Sequence, residues 1–200
     1  MADLNERDAK LVQYLNEAYG KEKELETALQ AHIAMTTRAP YKKRLQQHLR
    51  ETKSHAKQVE RRIKKLGGGG HTIQTAVAKA TAAAKGPLHM IRGSGEQEKM
   101  LKNAKTEYFN EHEEISTYLA IETFADKVGD KETAKLARGI RREEERMAKF
   151  LAGQIKALSG AVVTDEVPAA QRRSSNGARP RKRKTTKAKP KARRRTAAKR

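Results

Sequence analysis

The chain has 200 residues, enough for one sizeable domain and an appendage, and its mean hydropathy is −0.92. It contains no cysteine, which excludes disulfide bonds, cysteine-ligated zinc, iron–sulfur clusters and thiol catalysis. The first residues lack the apolar segment of a signal peptide, and no run of about 18 apolar residues occurs. We therefore expect a cytoplasmic protein that does not enter a membrane.

The formal net charge of +21 is unevenly distributed. The segment from Pro168 to Arg200 holds 15 of the 45 Lys/Arg residues and no acid, so residues 1–167 carry a net charge of only +6. A polyanionic partner is therefore expected for the tail and not for the folded body.

The first predicted helix begins near Asp3, which together with Glu6 resembles a capping box. Apolar residues from Leu11 to Leu29 follow at helical spacing, and Glu22 interrupts them at a core-facing position. A carboxylate on a buried face is costly unless it is paired or bound to a metal, so Glu22 is a candidate ligand.

The second predicted helix starts at Pro40, a residue that suits the first helical position. Its apolar stripe runs from Tyr41 to Leu66 and includes His55, with Glu51 one turn earlier on the same side. The glycines at 67–70 end the helix. Residues 67–96 are long enough to cross over along a bundle instead of making a tight hairpin.

The third predicted helix runs from about Glu96 to Val128, with Glu111 on its apolar stripe and Glu114 one turn further on. Gly129 stops this helix, and Asp130 is the expected N-cap of the next one.

The fourth predicted helix ends near Gly160 and carries Glu144 between Ile140 and Met147, where an apolar residue is expected. Two long hairpins joined by a long connection predict an all-α fold, a four-helix bundle over residues 1–160. Residues 161–200 are predicted to be a disordered tail.

Each helix thus offers acidic or imidazole groups near its middle, and antiparallel packing would bring them to one level. Carboxylate oxygens bridge pairs of hard cations and imidazole completes their coordination, which favours a dinuclear iron or manganese site. The predicted metal ligands are Glu22, Glu51, His55, Glu111, Glu114 and Glu144.

A degenerate ionic network is the alternative to a metal site. Di-iron bundles place histidine three residues after glutamate on two helices, but here Ser54 holds that place on the second helix and the fourth helix offers Arg146 and Met147. One metal position is therefore expected to lack a nitrogen ligand, and an inward Arg142 or Arg146 would replace a cation. The other histidines, among them His48, have no comparable claim as ligands.

Several short segments, in their order and spacing, resemble those of the ferritin-like YciE/YciF family of bacterial stress-associated proteins. They are residues 15–25, 48–55, 111–118 and 143–145, and the resemblance spans roughly residues 4–158. It implies a ferritin-like bundle, usually dimeric, with a presumed dinuclear carboxylate site.

The tail combines Lys and Arg with Pro and Ala, without acids or aromatics, and resembles linker-histone and nucleoid-protein tails. Such a segment neutralises phosphates without reading bases, so non-specific DNA binding is predicted, with a solubilising role or an acidic protein partner as alternatives. The predicted DNA-binding residues are Arg172, Arg173, Arg179, Arg181, Lys182, Arg183, Lys184, Lys187, Lys189, Lys191, Arg193, Arg194, Arg195, Lys199 and Arg200.

Three functions follow from these patterns. The first is a stress-related, nucleoid-associated protein whose metal centre oxidises ferrous iron or consumes peroxide beside DNA. The second is a non-enzymatic architectural protein, a dimer that bridges DNA with two tails. The third is a partner protein recruited by its tail to an acidic surface.

Overall fold

The computed structural model describes residues 4–69 and 95–172, all of which lie in helices or in short connections. The predicted all-α four-helix bundle is confirmed. None of the described helices has a stretch long and apolar enough to cross a membrane. The elements are α1 (Glu6–Met35), α2 (Ala39–Lys65), α3 (Glu96–Lys127), α4 (Lys131–Glu166) and a single 3₁₀ turn (Ala169–Gln171).

Two helical hairpins build the bundle. A three-residue turn, residues 36–38, joins α1 to α2, and a second one, residues 128–130, joins α3 to α4. The pairs α1–α2 and α3–α4 pack most extensively, while α1 also contacts α3 and α2 contacts α4. The predicted crossover at 67–96 connects the hairpins, but its residues 70–94 lie outside the described part of the chain.

Side-chain caps fix where two of the helices begin. Asn5, and not the predicted Asp3, caps α1: its side chain accepts a hydrogen bond from the backbone N–H of Asp8. Asp130 caps α4 as predicted, accepting from the backbone N–H of Thr133 at 3.0 Å. The preceding Gly129 has φ +77°, a left-handed conformation that glycine adopts without a steric penalty.

The last helix is longer than the sequence pattern predicts. It continues through Gly160 to Glu166, so residues 161–166 of the predicted tail are helical. A glycine inside a helix costs only about 1 kcal/mol relative to alanine, which the rest of a 36-residue helix outweighs. Pro168 disfavours the helical conformation in the residue before it and ends α4. The chain divides into two compact units at the same point, residues 1–167 and 168–200, and residues 173–200 of the tail lie outside the described part.

Two apolar clusters lie one after the other along the bundle. The long side chains in both are almost completely buried. Between the two clusters, each helix changes from apolar to acidic or imidazole side chains at its inward positions. One cluster includes Leu15, Val59, Ile63, Tyr118 and Ile140, and the other includes Leu29, Leu45, Met100, Met147 and Leu151.

Candidate metal centre

A layer of buried polar side chains separates the two apolar clusters. The contributing positions lie near the middle of all four helices, and antiparallel packing brings them to a common level, as the sequence pattern predicted. None of the six residues is more than 1% exposed: they are Glu22, His48, His55, Glu111, Glu114 and Glu144.

Five of these residues form two groups that share Glu144. The first group is Glu22, His55 and Glu144, and the second is His48, Glu111 and Glu144. Within each group the candidate ligand atoms all lie within 4.8 Å of one another. Each group therefore supplies one imidazole and two carboxylates and could hold a metal ion, with the Glu144 carboxylate between the two positions.

The two oxygens of Glu144 face different groups. His55 Nδ1 lies 2.9 Å from Glu144 Oε1 and 3.6 Å from Glu22 Oε1. His48 Nε2 lies 3.6 Å from Glu144 Oε2 and 3.0 Å from Glu111 Oε1. This is the arrangement that a carboxylate needs if it is to bridge two cations through separate oxygens.

Each imidazole also contacts a second carboxylate with its outer nitrogen. His48 Nδ1 lies 3.3 Å from Glu51 Oε2, and His55 Nε2 lies 2.9 Å from Glu143 Oε2. Histidines that bind metals usually donate their other ring N–H to a carboxylate or carbonyl, which fixes the tautomer and the ring orientation. Glu51 accepts a further hydrogen bond from Arg44, so its charge is already partnered.

Several carboxylate oxygens in the layer lack a protein partner. Glu22 Oε2, Glu111 Oε2 and both oxygens of Glu114 are buried and make no hydrogen bond among the described residues. Buried polar atoms are normally hydrogen-bonded, because an unpartnered one loses its contact with water without replacement. Bound cations would satisfy these oxygens.

The pKa values in the layer show how the carboxylates are kept neutral without a metal. Burial, together with the neighbouring Glu144 carboxylate, raises the pKa of Glu22 and of Glu111 to about 8, although nearby histidines oppose the change. Burial and three carboxylates raise the pKa of Glu114 well above its ordinary value. Burial also acts to raise the pKa of Glu144, but the two imidazoles lower it, so the carboxylate shared by both groups is ionised.

The imidazoles respond in the opposite direction. Burial alone would lower the pKa of His55, but Glu144 and Glu22 raise it to about 9. Burial opposes the shift of His48 as well, and the Glu111 carboxylate raises its pKa well above the ordinary value. Protons therefore hold this layer together, and a cation that enters must displace them.

The structure brings together five of the six predicted ligands: Glu22, His55, Glu111, Glu114 and Glu144. Glu51 lies outside both groups, beside His48. The residue that sequence reasoning passed over is His48, which supplies the imidazole that α4 lacks. Its spacing of seven residues from His55, two helical turns on one face, was the available signal.

No guanidinium enters this layer from α4. Arg142 is exposed, and Arg146, whose side chain is 66% exposed, pairs with Glu143 at 3.7 Å. Neither of the two arginines that could replace a cation therefore lies in this layer.

Towards the α1–α2 turn, buried polar groups continue along α3. Glu107 pairs with His32 Nδ1, and both side chains are buried. Asn103 and the Tyr41 hydroxyl are buried nearby without a hydrogen-bond partner among the described residues. The sequence pattern did not predict that Glu107 and Asn103 are buried, because a polar residue in a highly charged helix usually faces solvent.

Comparisons with known proteins agree with this architecture. No curated protein matches the chain. A protein of Xanthomonas campestris pv. campestris has a crystal structure that superposes with a TM-score of 0.65 at 26% identity, covering 81% of this chain and 99% of that one. YcfI from Rhodopseudomonas palustris shares the fold, with a TM-score of 0.61 at 19% identity, over 76% of this chain and 96% of its own. The model of a domain of unknown function, DUF892, matches residues 6–163, and the chain therefore belongs to the DUF892 family.

Proposed function

We propose that the bundle binds two divalent metal ions, iron or manganese, in a dinuclear carboxylate–histidine centre. The observation that carries this proposal is the pair of buried groups that share Glu144, each with one imidazole. One ion would be held by Glu22 and His55 and the other by Glu111 and His48, with Glu144 shared by both positions. Glu114 completes the coordination, and Glu51 orients His48 from outside.

The charge of the layer fits two divalent ions. With both imidazoles neutral, the four buried carboxylates carry as much negative charge as two divalent cations carry positive charge. The donor set of carboxylate oxygens and imidazole nitrogens is the one that iron and manganese favour. The apolar clusters on either side keep bulk water away from the centre.

We further propose that the centre consumes peroxide or oxygen. When bound, two ferrous ions would supply one electron each, which together with two protons would reduce one peroxide to two water molecules or one oxygen molecule to one peroxide. Around this reaction the chain positions its ligands: the Tyr118 hydroxyl donates to Glu22 Oε1 at 2.5 Å and holds that carboxylate in place. Exposing anaerobically iron-loaded protein to oxygen or peroxide should change its absorbance, and an unchanged spectrum would contradict the redox activity while leaving metal binding intact.

Metal content per chain tests the centre itself. Wild-type protein purified without chelator and incubated with Mn²⁺ should bind two ions per chain, and His48→Gln should bind one. Glu107→Gln is the matched control, since it removes a buried acid that belongs to neither group. Equal metal content in wild type and His48→Gln would contradict the assignment.

The tail is proposed to tether the protein to DNA without sequence preference, in keeping with its resemblance to nucleoid-protein tails. Of the predicted contact residues, Arg172 lies in the described part of the chain and is exposed. Deleting residues 168–200 should abolish salt-sensitive DNA binding in a mobility-shift assay. Retention of binding would place the DNA site on the bundle instead.

A second candidate function is an architectural DNA-binding protein without catalytic activity, acting as a homodimer that bridges DNA. The resemblance to the YciE/YciF family, in which dimers are usual, and the basic tail favour it. A DNA-bridging assay separates the two functions: metal-free protein with an intact tail should bridge DNA as well as metal-loaded protein if the architectural function is the principal one.

A further inference from the structure

One wall of the metal centre is reached from a groove between α2 and α4. The groove has a volume of about 280 Å³, and His55 and Glu143 lie in its wall together with Gln58, Lys135 and Gly139. One water molecule occupies about 30 Å³, so the groove has room for several. We propose that this groove is the route by which divalent cations enter the metal centre, an inference that rests on the proposed function.

His55 connects the groove with the centre. Its Nδ1 lies 2.9 Å from the shared carboxylate of Glu144, while its Nε2 lies 2.9 Å from Glu143 Oε2 on the groove side. The imidazole ring of His55 thus lies between the groove and the buried layer.

Two carboxylates line the groove, those of Glu132 and Glu143. Glu132 pairs with Arg62 and Lys65, whereas Glu143 contacts His55, so Glu143 is the groove carboxylate that leads to the metal centre. Its side chain is 38% exposed, whereas that of Glu144 next to it in the chain is fully buried. Apart from His55, it contacts Arg146 only loosely, at 3.7 Å. A partly hydrated cation can therefore exchange a water for this carboxylate before it passes the imidazole, and Glu143 acts as a positioning residue for His55 and as an entry ligand.

Gly139 keeps the groove open. A Cβ atom placed on this residue would meet no atom within 4 Å, so the space beside it is free. A larger side chain at this position would fit without a clash and would occupy the groove.

Another groove is larger but leads elsewhere. It has a volume of about 510 Å³ and lies between α1 and α2, where Gln30, Ile33, Leu49 and Arg50 line it. None of its lining residues belongs to the two metal-binding groups, and its charged lining residues, Arg50 and Lys53, are both basic. The smaller groove also has a basic residue, Lys135, but it lies there together with Glu132 and Glu143. Of these two grooves in the described part of the chain, the smaller one alone reaches a candidate ligand.

Metal uptake by the full-length, metal-free chain tests the route. Co²⁺ entry is followed by visible absorbance after rapid mixing, and total Co²⁺ is measured at equilibrium. Gly139→Leu should slow uptake about tenfold or more, because entry then requires α2 and α4 to separate transiently, and the final Co²⁺ per chain should not change. The matched control is Gly153→Leu on the same helix, whose Cβ position is equally open but which lies outside the groove.

A charge variant gives a second, independent measurement. Glu143→Gln keeps a hydrogen-bonding side chain beside His55 but removes the negative charge, so uptake should slow by about threefold to tenfold and lose part of its salt dependence. Uptake by Gly139→Leu and Glu143→Gln at the wild-type rate would overturn the route. If wild-type protein takes up no Co²⁺, Mn²⁺ or Fe²⁺, the proposed function fails and the route fails with it, whereas full uptake at unchanged rates rejects the route alone.

Discussion

Arg62 and the metal centre each place charged groups inside the bundle, but the charges are compensated in different ways. At the end of the bundle, Arg62 on α2 donates to Thr133 Oγ1 at 2.7 Å, to Glu132 Oε2 at 2.8 Å and to Asp130 Oδ2 at 2.6 Å. Every nitrogen of the guanidinium has an acceptor, and the positive charge lies among carboxylates.

In the described part of the metal centre, by contrast, the buried charged groups do not all have a hydrogen-bond partner. Its carboxylates outnumber its imidazoles, and oxygens of Glu22, Glu111 and Glu114 have no hydrogen-bond partner among the described residues. Burying a charge is costly unless it is paired. The Arg62 cluster can therefore be understood as structural, while the layer around Glu144 requires protons or cations from outside the chain.

The largest expected effect is on stabilisation by metal. Mn²⁺ at about 100 times its Kd should stabilise wild-type protein by about 2.7 kcal/mol per site. In Glu144→Gln this stabilisation should fall to about 0.4 kcal/mol per site or less, because both positions lose their shared carboxylate and affinity falls about a hundredfold or more. Thermal unfolding with and without Mn²⁺ measures the difference.

The metal-free form of the same variant sharpens the comparison. Glu144→Gln removes the ionised carboxylate that raises the pKa of His55, so its Tm without metal should be lower than that of metal-free wild type at about pH 6, where the imidazoles are protonated. An unchanged Tm would mean that the shared carboxylate does not stabilise the metal-free layer.

Substitution of Arg62 should lower stability without affecting metal binding. Arg62→Met leaves Asp130 without its cation and should lower the free energy of unfolding by about 2 kcal/mol, a value reduced for partial solvent access. The number of Mn²⁺ ions bound per chain should remain that of wild type. Denaturant titration measures the free energy of unfolding, and metal analysis measures the number of bound ions. A loss of metal would show that the two clusters are coupled.

The stability of the metal-free protein should depend on pH, because buried groups of the metal centre have raised pKa values. Folding raises the pKa of Glu22 and Glu111 from 4.5 to about 8 and that of His55 from 6.5 to about 9. A raised pKa contributes stability that is present below the unfolded value and lost as pH rises through the folded value. Metal-free protein should therefore have a lower Tm at about pH 9 than at about pH 6.

Metal affinity should change with pH in the opposite direction, increasing as the pH rises. Each proton that a cation displaces from Glu22 or Glu111 costs about tenfold in affinity for every pH unit below the pKa. Mn²⁺ affinity should then rise with pH up to about pH 8, as isothermal titration calorimetry in several buffers can measure. An affinity independent of pH would contradict the assignment of these carboxylates as ligands.

The smallest expected effect belongs to Glu51. Glu51→Gln weakens the contact that orients His48 and should reduce affinity at one of the two positions by about tenfold. The second position should keep its affinity, since His55 relies on Glu143 instead. Two resolved binding steps in calorimetry provide the readout, with Glu60→Gln as a matched surface control on the same helix.

Much of this centre could be predicted from the sequence, because helical periodicity indicates which face of a helix a residue occupies. Glu22, Glu111 and Glu144 interrupt apolar stripes, and all three are buried. The same reasoning predicted the bundle and the N-cap at Asp130, since these depend on local spacing and local turn chemistry.

Periodicity does not report how far a helix is rotated about its own axis. On α2, His48 lies on the apolar stripe and Glu51 borders it, and packing of the helix leaves the imidazole buried while the Glu51 side chain remains 21% exposed. The burial of Arg62 could not be predicted from the sequence either, because a cation near a helix end is usually solvated. Its partners are about 70 residues away in the sequence.

Both nitrogen donors of the centre are carried by α2, whereas the carboxylates come from α1, α3 and α4. A helix is a stiff rod, so any sliding or twisting of α2 displaces His48 and His55 as one body. The two cation positions would then be assembled or dismantled together and never singly. The placement of this one helix therefore determines the positions of both nitrogen donors.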